Sequence, residues 1–350
     1  MSRWTYFFKR VLLAIPVVFL VLTFMFVMLR MGPLDPVAAR LGPEATGAEA
    51  VRMRERLGLN DPLWEQYLQF VQEMLLFEGQ SWVVQGDRHV RDVILSAAPP
   101  TIWLGFWAIF LPLFIGLPLG FYAGLNSNTL GDYLATTGGI LWQGMPNFWL
   151  GVMLLAVLRT TSGGGLFGFD WYTFGPEIQS ITGTPALDFF STTDVGPIPV
   201  PTGLDLGAFG RDIKRILPPA LVLGSASMGA ELRLGRTAVL ENVNANYVET
   251  AKAKGLKSRV IVWKHIFRNA LIPLVPIITN EAFILIGGSV ILEVIFNING
   301  IGRIFFLAIT SGDVPLAGSL LFMITLLIIG LNILQDFLYT IIDPRVGYER

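Results

Sequence analysis

Long apolar runs constrain this chain more than any other feature of its sequence. A helix needs about 20 apolar residues to cross the roughly 30 Å of hydrocarbon in a bilayer. Hydrophobic residues make up 53% of the chain and charged residues only 15%. The runs predict membrane-spanning helices over residues 11–29, 102–121, 134–158, 216–232, 271–296 and 316–342. We therefore expect an all-α, polytopic membrane protein with about six transmembrane helices.

Composition excludes several classes of function. The net charge of −1 gives no global field to attract nucleic acid, so no nucleic-acid partner is expected. The chain contains no cysteine, which removes disulfides and thiolate catalysis. Its two histidines, His89 and His265, lie far apart in sequence, and no H-E-x-x-H motif occurs. We expect no catalytic residues and no metal site.

The first apolar run is interpreted as a retained span. It contains 19 residues from Val11 to Leu29, whereas the apolar core of a signal peptide has about 7–15. Arg3, Lys9 and Arg10 precede it and favour a cytoplasmic N-terminus.

The pattern divides the chain into residues 1–96, a first span with an extracytoplasmic helical loop, and residues 97–345, a core of five spans. Within the first loop, one helix is predicted to stop at Gly58, and the next to follow Asn60-Asp61-Pro62 and run to about Phe77. An outer loop, 160–215, carries an aromatic cluster that favours either an interfacial belt or a docking surface for an external partner.

Prolines set the predicted limits of three spans. The second span is expected to begin after Pro99-Pro100, and the fourth, which starts at Ile216, has Pro218-Pro219 at its entry. Pro146 is expected to break the third span near its middle. Between the second and third spans lies a tight turn, 126–132, with no Lys or Arg.

A basic insert, 233–270, separates the fourth and fifth spans. It contains eight Lys or Arg and two Glu between Arg233 and Arg268, and Glu249 is the only acid between Asn242 and Asn280. This bias predicts a cytoplasmic insert, and six spans then place both termini in the cytoplasm as well.

The insert reads as two short helices. The first runs from about Asn246 to Lys254, with Gly255 as the residue that ends it. Ser258 is expected to cap the second helix. The apolar stripe of that helix is predicted to contain Val260, Trp263, Phe267 and Ala270, opposite Lys264, His265 and Arg268.

The residues allow two interpretations of the insert. A basic amphipathic loop could lie against anionic lipid. Alternatively, the small residues Thr250, Ala251, Ala253 and Gly255 would let a partner protein approach closely, with Glu249 anchoring a basic group on it.

The string Y-V-E-T-A-K-A-K-G-L at 247–256, followed by H-I-F-R-N-A-L-I-P at 265–273, resembles the dipeptide/oligopeptide/nickel permease family of binding-protein-dependent ATP-binding-cassette importers. Glu249-Thr250-Ala251 with Gly255 is similar to the E-A-A-x-x-x-G loop of such membrane subunits. Matching strings elsewhere include G-L-P-L-G at 116–120 and M-P-N-F-W-L at 145–150, so the resemblance covers nearly the whole chain.

The resemblance implies a type I importer permease in a prokaryotic inner or plasma membrane. The expected partners are a second permease subunit (a homologue is favoured), two ATP-binding subunits and an extracytoplasmic solute-binding protein. This chain lacks the G-x-x-x-x-G-K-[ST] phosphate loop, so ATP and Mg are expected on the partner subunits. The implied ATPase-coupling loop comprises Tyr247, Glu249, Thr250, Ala251, Lys254, Gly255 and Leu256, supported by His265, Arg268, Asn269 and Pro273.

Three features depart from the family's usual pattern. Thr250 stands where the loop pattern has Ala, loop 160–215 is longer than usual for the family, and Glu281 is a carboxylate inside a predicted span. Glu281, Asn280 and Gln143 are candidates for lining a pathway. A secondary transporter driven by an ion gradient is the alternative function, although Glu231, Glu281 and Glu293 are not paired in sequence. An intramembrane enzyme is disfavoured, and the cargo is open among peptides, nickel chelates and oligosaccharides.

Overall fold

The structure is a computed structural model that describes residues 3–31, 37, 41, 47–195, 198–271 and 289–342. Its longer helices are α1 Arg3–Met31, α2 Gly47–Arg56, α3 Leu63–Leu76, α4 Val90–Ala108, α5 Leu117–Leu125, α6 Leu130–Gln143, α7 Asn147–Thr160 and α8 Leu206–Val243. They are followed by α9 Asn246–Ala253, α10 Ser258–Val260, α11 Phe267–Leu271, α12 Ser289–Ile295, α13 Ile301–Thr310 and α14 Val314–Ile342. π-Helical turns occupy Pro112–Gly116 and Ile261–Ile266. The all-α prediction is confirmed, and the described strands form one hairpin, β1 Phe190–Val195 with β2 Ile198–Leu204.

The described residues form two compact units. The first combines residues from Met1–Pro99 with Asn299–Phe337. Here α1 packs on α3 and α14 through Leu22, Met25, Met74 and Phe322. The start of α4 packs on α13 and α14 through a second apolar cluster that includes Val93 and Ile304.

A buried carboxylate organises the polar part of this first unit. Asp313 is fully buried and accepts hydrogen bonds from the Ser81 hydroxyl at 2.6 Å and from the Val83 and Val84 amides at 3.0 and 3.1 Å. Loop 81–84 is therefore bound to the residue that precedes α14.

The helices of the first loop end as the sequence indicates. Gly58 has φ +61, and the Gly58 and Leu59 amides donate to the Glu55 and Arg54 carbonyls, so α2 ends in a glycine turn of the Schellman type. The cap expected from Asn60-Asp61-Pro62 is wrong in detail, because Pro62 itself is the N-cap residue of α3 and no side chain caps it.

The second unit, Pro100–Ile298, is built around α8. This helix has 38 residues and runs unbroken through Pro218 and Pro219, so these prolines do not begin the helix. Both prolines are buried, and packing against neighbouring residues offsets the loss of their helical N–H donors. Because α8 begins at Leu206, the outer loop ends about ten residues earlier than the predicted 215. Arg233 and Arg236 belong to α8 rather than to a separate insert.

Glycines allow α8 to approach its neighbours backbone to backbone. Gly116, Gly120 and Gly124 recur every fourth residue before and within α5. A Cβ built on Gly120 would lie 2.3 Å from the Leu232 carbonyl oxygen, and one on Gly229 would lie 2.4 Å from the Gly139 carbonyl oxygen. Small residues at this spacing are typical of helix pairs in membranes, where close van der Waals packing drives association.

The outer loop is fixed to the first turns of α8 by polar side chains. Lys214 is buried and donates to the Tyr172 and Pro176 carbonyls at 3.0 and 2.8 Å. Asp212 accepts from the Ala186 and Leu187 amides.

Asp205 caps α8, and hydrogen bonds from the Ala208 and Gly207 amides hold the pKa of its carboxyl below the usual value. The sequence did not predict the β hairpin of this loop.

Length and apolar composition identify three described helical stretches that could cross a membrane: Phe7–Met28, Val90–Leu125 and Val314–Phe337. The first, second and sixth predicted spans lie within or overlap them, although the second helix begins at Val90 and passes through Pro99-Pro100. The predicted break at Pro146 is confirmed, since α6 and α7 meet there at 96°. Most of the fifth predicted span, 272–288, lies outside the described residues.

The contact between α5 and α8 gives the first prediction. Replacing Gly120 by Ala places a Cβ against the α8 backbone, so the helices must separate, at a cost of about 1–3 kcal/mol for overpacking. We expect a lower melting temperature of the purified protein in detergent. The matched control is Gly138→Ala in α6, where a Cβ meets nothing within 4 Å. Equal melting temperatures for the two variants would contradict the packing described.

Candidate functional site

The insert after α8 is built on a two-residue connection. α8 ends at Val243, and Ala245 is the extended N-cap residue of α9. The Val248 amide donates to the Ala245 carbonyl at 2.8 Å. The Tyr247 hydroxyl donates to the side-chain oxygen of Asn242. α9 is thus connected directly to the end of the long helix.

α9 ends as the sequence predicts. Gly255 has φ +73, a conformation that favours glycine. Its amide donates to the Lys252 carbonyl at 2.9 Å, and the Leu256 amide donates to the Ala251 carbonyl at 3.2 Å. This pair of bonds defines a Schellman turn and confirms Gly255 as the residue that ends the helix.

The second helical segment differs from its prediction in two respects. Lys257, not Ser258, is the N-cap residue of α10, and no side chain caps it. Six residues, Ile261–Ile266, form a π-helical turn, in which residues five apart share a face. Ile261 and Ile266 are therefore buried, whereas Trp263 of the predicted stripe is 60% exposed.

An apolar base supports the insert. Val248 and Ala251 of α9 are buried in a cluster with residues of α5, α8 and the second segment. The members on the other elements are Leu117, Phe121, Ala238, Val239, Ile261, Ile266 and Ala270. The Phe121 and Phe267 rings lie 4.9 Å apart. This base fixes the orientation of α9 on the second unit.

The opposite face of α9 is open. Glu249, Thr250, Lys252 and Lys254 are exposed, as are Gly255 and Leu256 beyond the helix. Glu249 forms no ion pair with any residue in the part of the chain that the structure describes. Ala251 is only 5% exposed, so its predicted place on a contact surface is wrong. Its small side chain instead lets α9 sit close to the apolar base.

Some of the other predicted site residues are described by the structure, and the rest lie outside the described residues. His265 is half-buried, Arg268 is exposed, and the side-chain amide of Asn269 donates to the His265 carbonyl at 2.9 Å. Gln143 is exposed at the bend after α6. Pro273, Asn280 and Glu281 lie outside the described residues.

Two carboxylates of the fourth and fifth predicted spans are buried. Glu231 is 1% exposed and Glu293 is fully buried, and Glu293 accepts a hydrogen bond from the buried Thr101 hydroxyl at 2.8 Å. Within the ranges that the structure covers, no group of three or more potential metal ligands could hold an ion.

An ion pair that the sequence did not reveal lies beside the insert. Asp132, at the start of α6, accepts hydrogen bonds from Arg236 of α8 at 2.6 and 2.8 Å. The turn at 126–132 carries no basic residue of its own, and the partner stands 104 positions away. The only signal for this ion pair in the sequence was a single acidic residue, Asp132, in a turn between two apolar runs.

Comparison with known families covers almost the whole chain. Residues 116–348 match the binding-protein-dependent transport system inner membrane component, and residues 3–93 match the N-terminal family of the same membrane components.

Individual relatives align over nearly their full length. An oligopeptide transport system permease protein of Bacillus subtilis is 29% identical over 98% of this chain and 99% of its own. A dipeptide transport system permease protein of Alkalihalophilus pseudofirmus is 30% identical over the same shares. A di/tripeptide transport system permease protein of Pseudomonas aeruginosa is 30% identical over 98% of each chain. The chain therefore belongs to the family of binding-protein-dependent transport system inner membrane components, as a multi-pass permease subunit of an ATP-binding-cassette importer.

Proposed function

We propose that this permease subunit forms part of a translocation pathway for peptides and that α9 is its coupling helix. The peptide assignment is supported by the three relatives, which are named for oligopeptide, dipeptide and di/tripeptide transport. The family resemblance implies an ATPase-coupling loop in the insert, and we assign that role to α9.

The exposed face of α9 carries the coupling proposal. Eight residues of helix, about 12 Å long at about 1.5 Å per residue, rest on the apolar base through Val248 and Ala251. Glu249 and Thr250 are exposed on the helix. Such an arrangement suits a surface that enters a groove on another protein and transmits force without bending.

The remaining partners and the orientation follow from charge and family. The eight Lys or Arg between Arg233 and Arg268 favour a cytoplasmic insert, which gives access to two ATP-binding subunits that hold ATP and Mg. A second permease subunit would complete the pathway, and a solute-binding protein would deliver peptide from outside. Both termini would then lie in the cytoplasm of a prokaryotic cell.

The proposed mechanism is a lever. Closure of the ATP-binding subunits around ATP moves the groove that holds α9. Because α9 is joined to α8 and packed on its side, α8 moves with it. The two permease subunits then exchange an inward-open pathway for an outward-open one, with ATP binding shifting the population between these states.

Glu249 provides a test of the docking contact. We expect Glu249→Lys to lower ATP-driven uptake of radiolabelled dipeptides into proteoliposomes at least tenfold, since breaking a desolvated interfacial charge pair costs about 2–5 kcal/mol. Glu241→Lys is the matched control, because it makes the same charge change at an exposed residue of α8 and should leave uptake within twofold. Unchanged uptake in Glu249→Lys, with the ATPase still co-purifying, would refute the docking role.

Gly255 tests whether a partner approaches the end of α9. A Cβ at Gly255 meets nothing within 4 Å among the described residues, so a bulky side chain at this exposed position tests for a surface outside this chain. Gly255→Trp should abolish dipeptide uptake while insertion into the membrane is retained. Gly255→Ala carries the same backbone strain, about 1–2 kcal/mol, without the bulk, and should keep most uptake. Similar loss in both variants would assign the effect to strain.

The energy source separates the proposed function from an ion-driven transporter. With ATP held constant inside proteoliposomes, collapse of the proton gradient by an uncoupler should change dipeptide uptake by less than twofold. Removal of ATP should stop uptake. Strong inhibition by the uncoupler alone would favour the secondary transporter.

A further inference from the structure

The contact between Asp132 and Arg236 has the geometry of a rigid clamp. The Nε atom of Arg236 lies 2.6 Å from Oδ1 of Asp132, and its Nη2 atom lies 2.8 Å from Oδ2. Asp132 is only 1% exposed. A bidentate guanidinium–carboxylate pair fixes the relative orientation of the two side chains as well as the distance between them. α6 therefore cannot rotate against α8 without breaking this pair.

Further hydrogen bonds tie the turn before α6 to the same carboxylate. The Asn128 amide donates to Oδ2 at 2.9 Å and the Thr136 hydroxyl donates to Oδ1 at 3.2 Å. The Asp132 amide in turn donates to the Thr129 hydroxyl at 3.3 Å, which caps α6. Asp132 therefore joins the α5–α6 turn, α6 itself and α8 at one point.

Backbone packing around the ion pair prevents sliding as well. A Cβ on Gly120 would lie 3.1 Å from the Arg236 amide nitrogen, and one on Gly124 would lie 2.9 Å from the Arg236 carbonyl oxygen. The α5 backbone thus lies directly against the residue that forms the ion pair. These close backbone approaches allow only one axial register of α5 against α8.

Arg236 is also one turn away from the base of the insert. Ala238 and Val239 follow it on α8 and share an apolar cluster with Val248 and Ala251 of α9. A displacement of α9 therefore reaches Arg236 through packed side chains and a short length of helix.

We propose that Asp132 and Arg236 are positioning residues that transmit movement of the insert to the α5–α6 hairpin. With the ion pair intact, α5, α6, α8 and α9 move as one body when the ATP-binding subunits close. Without it, α9 still docks and ATP is still hydrolysed, but the hairpin does not follow. This inference rests on the proposed coupling function of α9.

The first experiment measures transport per ATP hydrolysed in the reconstituted complex. Asp132→Asn keeps the shape and removes the charge. We expect dipeptide uptake to fall at least tenfold while ATP hydrolysis stays within twofold. Arg236→Gln should behave alike, and the double variant should be no worse than either single variant, because both act through one contact. Uptake and hydrolysis falling together, or additive losses, would overturn the proposal.

Two further variants separate coupling from stability. Asp205→Ala removes the cap at the other end of α8, and should leave the ratio of uptake to hydrolysis unchanged. The same loss of coupling in this variant would show a purely structural role. If Asp132→Asn does not assemble, Arg236→Lys decides the question, since it retains the charge and loses the two-point bond. It should lower uptake per ATP at least threefold, and an unchanged ratio would refute the clamp.

The second experiment observes the movement itself. The chain has no cysteine. Cysteines introduced at exposed Leu134 on α6 and Glu241 on α8 can therefore carry spin labels. We expect one label-to-label distance in the nucleotide-free and ATP-bound states of the wild type, and a distance that changes with ATP in Asp132→Asn. A distance that changes in the wild type would refute the clamp. A wild type that takes up no dipeptide with ATP would instead refute the proposed function.

Discussion

The second unit depends on how closely α8 approaches the helices around it. In a bilayer, apolar side chains gain little by leaving lipid for protein, so association relies on close packing and on polar contacts. At Gly120 and Gly229 the helix backbones come so near that a Cβ would lie 2.3–2.4 Å from a carbonyl oxygen. Because neighbouring residues bury much of α8, this helix need not be apolar throughout. It accordingly carries the buried Lys214 and Glu231 and does not qualify as a span by hydropathy among the described helices.

The same packing gives the insert a firm support. α9 is short, and a helix of eight residues is marginal in water without tertiary contacts. Its stability comes from Val248 and Ala251, which are buried on the base formed by α5 and α8, and from the glycine turn at Gly255. The exposed face therefore contributes little to folding. Its residues can be chosen for contact with another protein, which is what a coupling surface requires.

Local signals in the sequence predicted much of this arrangement, and non-local contacts account for the errors. Apolar runs located α1 and α14, Pro146 located the bend, and Gly255 located the end of α9. The π-helical turn shifted the apolar face to Ile261 and Ile266 because its i→i+5 hydrogen bonds widen the turn beyond the roughly 3.6 residues of an α-helix. The pairing of Asp132 with Arg236 depends on tertiary packing between residues that are distant in sequence, which no window along the chain contains.

The fold also explains where the insert departs from the family's loop pattern. Thr250 replaces the middle Ala of the triplet, and it is exposed, with its hydroxyl bonded to the Asn246 carbonyl at 3.0 Å. That bond satisfies the added polar group within α9. The third position, Ala251, is buried on the base, where a larger side chain would push α9 away from α8. Size is thus restricted at the position that faces inward and relaxed at the exposed one, so Thr250 is compatible with the proposed coupling through this helix.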